Sequence, residues 1–220
     1  MSDLPHADSK LRPFFYAALP QCRDFLAAAN DFRDSLLSIG PVTPLEPSCN
    51  QDWSPRLDAL AAYVTVRRVR PARIVEIGAG HSTRFLARAI RNGGLNTGIT
   101  SLDPEPRSML NGLSGVELIC TPIQSAGSYV VPELVAGDML FVGSSHKWHP
   151  GSDVAFLFNE ILPWLVRGCR VHFHHGFARW ISCPLDTSTA RRTSCRRRIG
   201  GGERLADRIR VRACGSPFGG

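Results

Sequence analysis

Lysine is nearly missing from this chain: Lys10 and Lys147 are the only two among 26 basic side chains, and the rest are arginine. Closely paired cysteines are missing too. The seven cysteines are odd in number, scattered and without a Cys-x-x-Cys pair. That excludes a zinc ribbon or a disulfide scaffold and predicts reduced thiols in a cytoplasmic setting. Cys120 and Cys169 fall in or beside apolar strand patterns, where small core residues belong. No long hydrophobic run occurs: the longest, 154–166, is broken by Asn159 and Glu160 and is too short to cross a bilayer. The opening Met1-Ser2-Asp3-Leu4-Pro5-His6 lacks the basic-then-apolar layout of a secretory signal. With no internal repeat, 220 residues predict one domain with a substantial core.

The formal charge of +7 is unevenly placed. From Gly176 onward ten arginines face only Asp186, Glu203 and Asp207, whereas residues 1–175 hold 16 basic and 16 acidic groups. The body is neutral, which argues against a nucleic-acid partner for it. The segment 176–220 has arginine and glycine clusters but hardly any sustained apolar period, so it predicts a disordered tail. The abrupt loss of pattern after Phe173-His174 is that of a segment read out of frame. Its functional rival, an arginine-rich arm that folds on RNA, lacks interleaved aromatic residues.

Residues 1–70 read as a helical extension. Apolar residues between Ala17 and Ile39 recur near helical spacing and stop at Gly40-Pro41. Ser54-Pro55 then starts a second helix that runs to about Val69. Residues 71–175 alternate: strands at 73–77, 98–103, 116–121, 138–143 and 170–175, helices at 81–92, 104–111, 124–136 and 152–166. Apolar strands alternating with helices predict a parallel sheet covered on both faces, with right-handed crossovers.

What is most informative in this alternation is Arg73-Ile74-Val75-Glu76-Ile77-Gly78-Ala79-Gly80-His81-Ser82-Thr83. An apolar strand carries a carboxylate near its end, breaks at two glycines and passes into a helix. In an open α/β sheet the ligand sits at the carboxyl ends of the strands, where such a turn lets the backbone approach it. A dinucleotide fingerprint would place a third glycine where Thr83 stands, and Glu76 would repel a pyrophosphate. A carboxylate suits instead a ligand bearing an amino group and a sulfonium. A second strand, Ile99 to Asp103, ends in another acid, placed to accept ribose hydroxyls or to cap the helix begun by Pro104 and Pro106.

These two pieces, with Gly137-Asp138-Met139-Leu140-Phe141-Val142-Gly143-Ser144-Ser145-His146, Ser152-Asp153-Val154 and Val171-His172-Phe173-His174, resemble class I S-adenosylmethionine-dependent methyltransferases. The closest likeness is to the branch with an aspartate-serine-serine-histidine turn after strand four, and it covers roughly residues 50–175. It implies a three-layer, Rossmann-like α/β sheet with S-adenosylmethionine as cofactor. It implies methyl transfer to an oxygen or nitrogen of a small-molecule acceptor. Glu76, Gly78, Ala79, Gly80, Ser82 and Thr83 would line the methionine end and Asp103 the ribose. Gly143 and Ser144 would begin the wall that ends at His146, the candidate general base.

The chain departs from that family in two places. Gly143 stands where the family has an aspartate, and His174-His175 where it has His-Asp. Magnesium wants hard oxygen ligands, which glycine does not offer. An imidazole-rich site of His146, His172, His174 and His175 would suit zinc, but alternate strand residues point to opposite faces and cannot all converge. No metal is expected. The family's C-terminal helix and antiparallel strand pair are also not legible in 176–220. Two rival readings follow. One is a catalytically impaired cofactor-binding or interaction protein of the same fold. The other is a nicotinamide-dependent oxidoreductase, disfavoured by Thr83 and Glu76.

Overall fold

Five short strands lie side by side in one sheet, all parallel. In the computed structural model the described residues are 12–174 apart from 41–43, 52–53, 55 and 107–108. The strands are β1 (Arg73–Ile77), β2 (Gly98–Leu102), β3 (Val116–Ile119), β4 (Met139–Val142) and β5 (Arg170–Phe173). Their order is β3-β2-β1-β4-β5. Such strands read as continuous apolar runs because helices cover both faces, and β4 is buried at every position.

One face carries α3 (Arg56–Val69) and α4 (His81–Gly93), whose Ala62, Tyr63, Val66, Leu86 and Ala89 pack on Ile74, Ile99, Met139 and Phe141. The other face carries α5 (Ile123–Val130) and the segment 153–164, where Ile123, Ala126, Leu157 and Ile161 meet Val75, Ile77, Leu102, Leu140 and Val142. The expected three-layer, Rossmann-like arrangement is therefore present. Ahead of α3 lie α1 (Arg12–Ala29) and α2 (Arg33–Leu37), joined by a 3₁₀ turn. Glu46 accepts hydrogen bonds from Arg88 and Arg91, which ties this N-terminal segment to α4. At the amino ends of the strands the buried Asp138 accepts from the backbone and guanidinium of Arg73 and from the amide of Val135. It thereby fixes β1 against β4.

Three expectations need correction. No helix forms at 104–111 among the described residues, which run as bends and turns to Val116. Pro104 and Pro106 remove amide donors and push the residues before them out of helical geometry. The helix expected at 152–166 is one α-turn, α6 (Asp153–Phe156), followed by a π-turn and a 3₁₀-turn, with Pro163 denying the last turn a donor. Finally, Cys120 is disulfide-bonded while Cys22, Cys49 and Cys169 are free, so the thiols are not all reduced. The tail 176–220 and His175 lie outside the described residues. No described helix is long and apolar enough to cross a membrane.

Candidate functional site

The strand order reverses at β1, between β2 on one side and β4 on the other; in open α/β sheets the ligand crevice lies at such a switch point, beyond the carboxyl ends of the strands. Gly78 takes φ +88°, a region disfavoured for side-chain-bearing residues. Its amide donates to the Leu102 carbonyl at 2.8 Å, and the Gly143 amide donates to the Ile77 carbonyl at 2.8 Å. A Cβ on Gly78 would collide with the Gly143 carbonyl oxygen and lie 2.8 Å from its carbon. The β1 and β4 turns thus touch backbone to backbone. Gly80 differs: nothing lies within 4 Å of where its Cβ would be. The packing of the chain does not require glycine there, but close approach of a ligand to the backbone would.

Glu76 is fully buried. Strand register sets it beside Ser101 of β2, whose hydroxyl donates to Oε2 at 2.7 Å. From α4, Ser82 donates to Oε1 at 2.6 Å and Thr83 to Oε2 at 2.7 Å. Thr83 also accepts from the Gly80 amide at 2.9 Å, closing the first turn of α4. Burial pushes the Glu76 carboxyl up to about 7; the three hydroxyls pull it down and the charge of Asp103 adds to the rise. Glu76 has no exposed surface, and its carboxylate accepts hydrogen bonds from side chains of the chain itself. It fixes the hydroxyls and the turn around the crevice, and Ser82 and Thr83 point inward to it.

Asp103 is half-buried at the end of β2. Its Oδ2 accepts from the Ala79 amide and its Oδ1 from the Glu105 amide, both at 2.8 Å. The carboxylate therefore joins the β1 turn to the loop after β2. Each oxygen keeps a lone pair for a further donor. The same loop is held from α4 by Arg84, whose Nη2 donates to the Met109 carbonyl at 2.9 Å. Burial lowers the pKa of Arg84, and burial together with Arg84 lowers that of His81.

The ends of β4 and β5 form the other side of the crevice. Gly143 and Ser144 are half-buried, and the loop beyond is exposed. Asp153 at the start of α6 accepts from the Ser145 amide at 2.8 Å and its hydroxyl at 2.5 Å, and Ser152 caps α6 through the Ala155 amide. His146 is exposed and carries φ +61°. Its ring lies 6.2 Å from that of His174. His174 is buried at the end of β5, its amide bonded to the Val142 carbonyl, and its Nδ1 is 3.6 Å from Oδ2 of Asp58 on α3. His172 stacks on Phe141 with centroids 4.7 Å apart; burial foremost, then His174, pushes its pKa down to about 4. Among the described residues no group of three or more His, Cys, Asp or Glu is arranged to hold a metal.

The expected residues therefore fall into two groups: Glu76, Gly78, Ala79, Gly80, Ser82, Thr83 and Asp103 at the β1–β2 end, and Gly143, Ser144 and His146 at the β4 end. Ser101, Asp58, Arg84 and Asp153 were not among them. Ser101 was within reach of the sequence, since aligning the apolar strands puts it opposite Glu76. Asp58 was not, because nothing local links a helix residue to a strand end 116 positions later.

Residues 75–175 match a family model described as a methyltransferase domain. No curated protein and no solved structure matches the chain significantly.

Proposed function

We propose that this chain, whose residues 75–175 match a methyltransferase domain, is a class I S-adenosylmethionine-dependent methyltransferase that binds S-adenosylmethionine in the β1–β4 crevice and methylates an oxygen or nitrogen of a small-molecule acceptor. The observation that carries the reading is the β1 turn. Gly78 is locked against Gly143, Gly80 is open to a ligand, and Asp103 stands at the end of β2 with lone pairs to spare. When bound, the sulfonium supplies an electrophilic methyl group. The chain supplies position: the Gly78–Gly80 backbone and Asp103 hold the donor, and the Gly143–His146 loop walls off the acceptor. A histidine at that wall takes the proton an acceptor hydroxyl must lose.

Thr83 supports this reading over a nicotinamide site. It fills the place of a third fingerprint glycine with a buried side chain committed to Glu76 and Gly80. A second reading, cofactor binding without turnover, is favoured by Gly143, which puts no carboxylate at the end of β4. Calorimetry of the purified protein with S-adenosylmethionine, S-adenosylhomocysteine and NAD separates these readings. Micromolar binding of the first two and none of the third is expected. Binding of NAD alone would overturn the proposal, and S-adenosylhomocysteine release with a panel of small phenols and amines then divides turnover from mere binding.

A further inference from the structure

Three groups from three parts of the chain meet at the ends of β4 and β5: Asp58 from α3, His174 from the end of β5 and His146 from the loop after β4. His174 is held on several sides. Its amide bonds to the Val142 carbonyl, which sets it directly beside Gly143, and its ring stacks on Phe141 with centroids 6.0 Å apart. The Asp58 carboxylate, about one-third exposed, faces Nδ1 at 3.6 Å. That distance is an ion-pair contact, longer than a hydrogen bond, and such contacts often tighten only once a substrate is bound. A carboxylate facing Nδ1 selects the tautomer with the proton on Nδ1 and the lone pair on Nε2. Among the described residues, the titratable side chains packed near the ring include His172 on β5, kept neutral, and His146.

We infer that His174, oriented by Asp58, is the base that deprotonates the methyl acceptor, and that the acceptor is accordingly a hydroxyl-bearing molecule. The inference rests on the methyltransferase reading above and moves the base from the exposed His146 to the buried His174. The acceptor O–H gives its proton to Nε2 of His174. The oxygen lone pair forms the new bond to the methyl carbon, and the carbon–sulfur pair stays on sulfur, which becomes a thioether. The imidazolium formed is stabilised by the Asp58 carboxylate and returns its proton to water, His146 being the exposed imidazole beside it. Asp58 touches neither donor nor acceptor, so it is a positioning residue. Through it the N-terminal helices contribute to the chemistry of the sheet.

Nitrogen-15 NMR of the histidine rings tests this without knowledge of the acceptor, because the ring nitrogen shifts report which nitrogen carries the proton. At neutral to mildly alkaline pH, with S-adenosylhomocysteine added, His174 should be Nδ1-protonated. Asp58→Asn should abolish that preference and leave the resonances of the buried Phe85 unmoved. His174→Gln should bind S-adenosylhomocysteine within about two-fold of the unaltered chain, since the donor is held at β1 and β2. An Nε2-protonated His174 in the unaltered chain would overturn the inference, as would a tautomer indifferent to Asp58. So would metal-shifted ring nitrogens on adding zinc at stoichiometric concentration, which would make the cluster a metal site. Absence of any S-adenosylhomocysteine binding would strike instead at the functional reading, and the tautomer result would still stand.

Discussion

The two glycines that face each other across the crevice, Gly78 on the β1 turn and Gly143 on the β4 turn, have opposite tolerances. A Cβ on Gly78 would collide with backbone, and the residue sits at φ +88°. A Cβ on Gly143 would meet nothing closer than 3.6 Å, ordinary van der Waals contact with the Phe141 ring. The same contrast extends to their surroundings. Around Gly78 the carboxylates of Glu76 and Asp103 and the hydroxyls of Ser82, Thr83 and Ser101 are bonded to one another or to backbone. Around Gly143 lie an exposed loop, a histidine with positive φ and a distant helix that lends Asp58. One side of the crevice is built by its own strands. The other is assembled from parts far apart in the chain. On the proposed function, the half that would hold the donor is fixed while the half that would face the acceptor can change residue by residue.

The largest effect that would break this contrast is at Gly78. Gly78→Val adds a β-branched side chain where both backbone dihedral and space forbid it, and should cost about 4 kcal/mol of folding stability. Denaturant unfolding measures it, and a loss under about 1 kcal/mol would mean the two turns are not locked together.

Next comes the buried carboxyl. Glu76 has its folded pKa raised from 4.5 to about 7, so between those values the folded state binds more protons than the unfolded one. Its favourable contribution is therefore full below the unfolded value and is lost as pH rises through about 7. The upper bound is about 3.5 kcal/mol, from roughly 1.4 kcal/mol per unit. Unfolding free energy should fall across that window in the unaltered chain and stay flatter in Glu76→Gln. Parallel pH curves for the two proteins would show that Glu76 is not the group responsible.

Asp103 sharpens the comparison at smaller scale. Asp103→Ala removes the carboxylate that joins the β1 turn to the β2 loop and faces the proposed ribose. Affinity for S-adenosylhomocysteine should drop by about 2 kcal/mol, roughly 30-fold. Calorimetry decides it, and an unchanged Kd would place the pocket elsewhere.

How much of this was legible in the sequence follows the same division. The central strands β1, β2 and β4 stood out because a parallel sheet covered on both faces turns them into largely apolar runs, while β3 and β5 are more exposed; the Glu76–Thr83 turn stood out because its glycines and acid lie within eight residues. The burial of Glu76 was less visible: its position between Val75 and Ile77 fits a strand end facing a ligand as well as one facing a helix. Only the register with Ser101 and the inward turn of Ser82 and Thr83 decide it. The missing helix after β2 was hidden because Pro104 and Pro106 suit a first helical turn as readily as a loop. The Asp58–His174 contact was out of reach, since it depends on where α3 lands on the finished sheet.

The smallest effect tests the permissive side directly. Gly143→Asp puts a carboxylate where the sequence resemblance leads one to expect it. Gly143 has no left-handed backbone requirement, and its Cβ direction is open apart from ordinary contacts with Phe141 and the carbonyls of Ile77 and Gly78. Those two carbonyls repel an added carboxylate slightly, and the half-exposed position lets water offset that. Stability should change by no more than about 0.5 kcal/mol, as for a typical surface substitution. Affinity for S-adenosylhomocysteine should stay within about two-fold, because the proposed donor contacts lie on β1 and β2. Only the acceptor side should respond, through a magnesium dependence of turnover or of melting temperature that the unaltered chain lacks, since magnesium needs the hard oxygen ligand this change supplies. A fall of several kcal/mol, or a large loss of S-adenosylhomocysteine affinity, would show that the β4 turn is as tightly constrained as the β1 turn and that the two sides of the crevice do not differ in the way their geometry indicates.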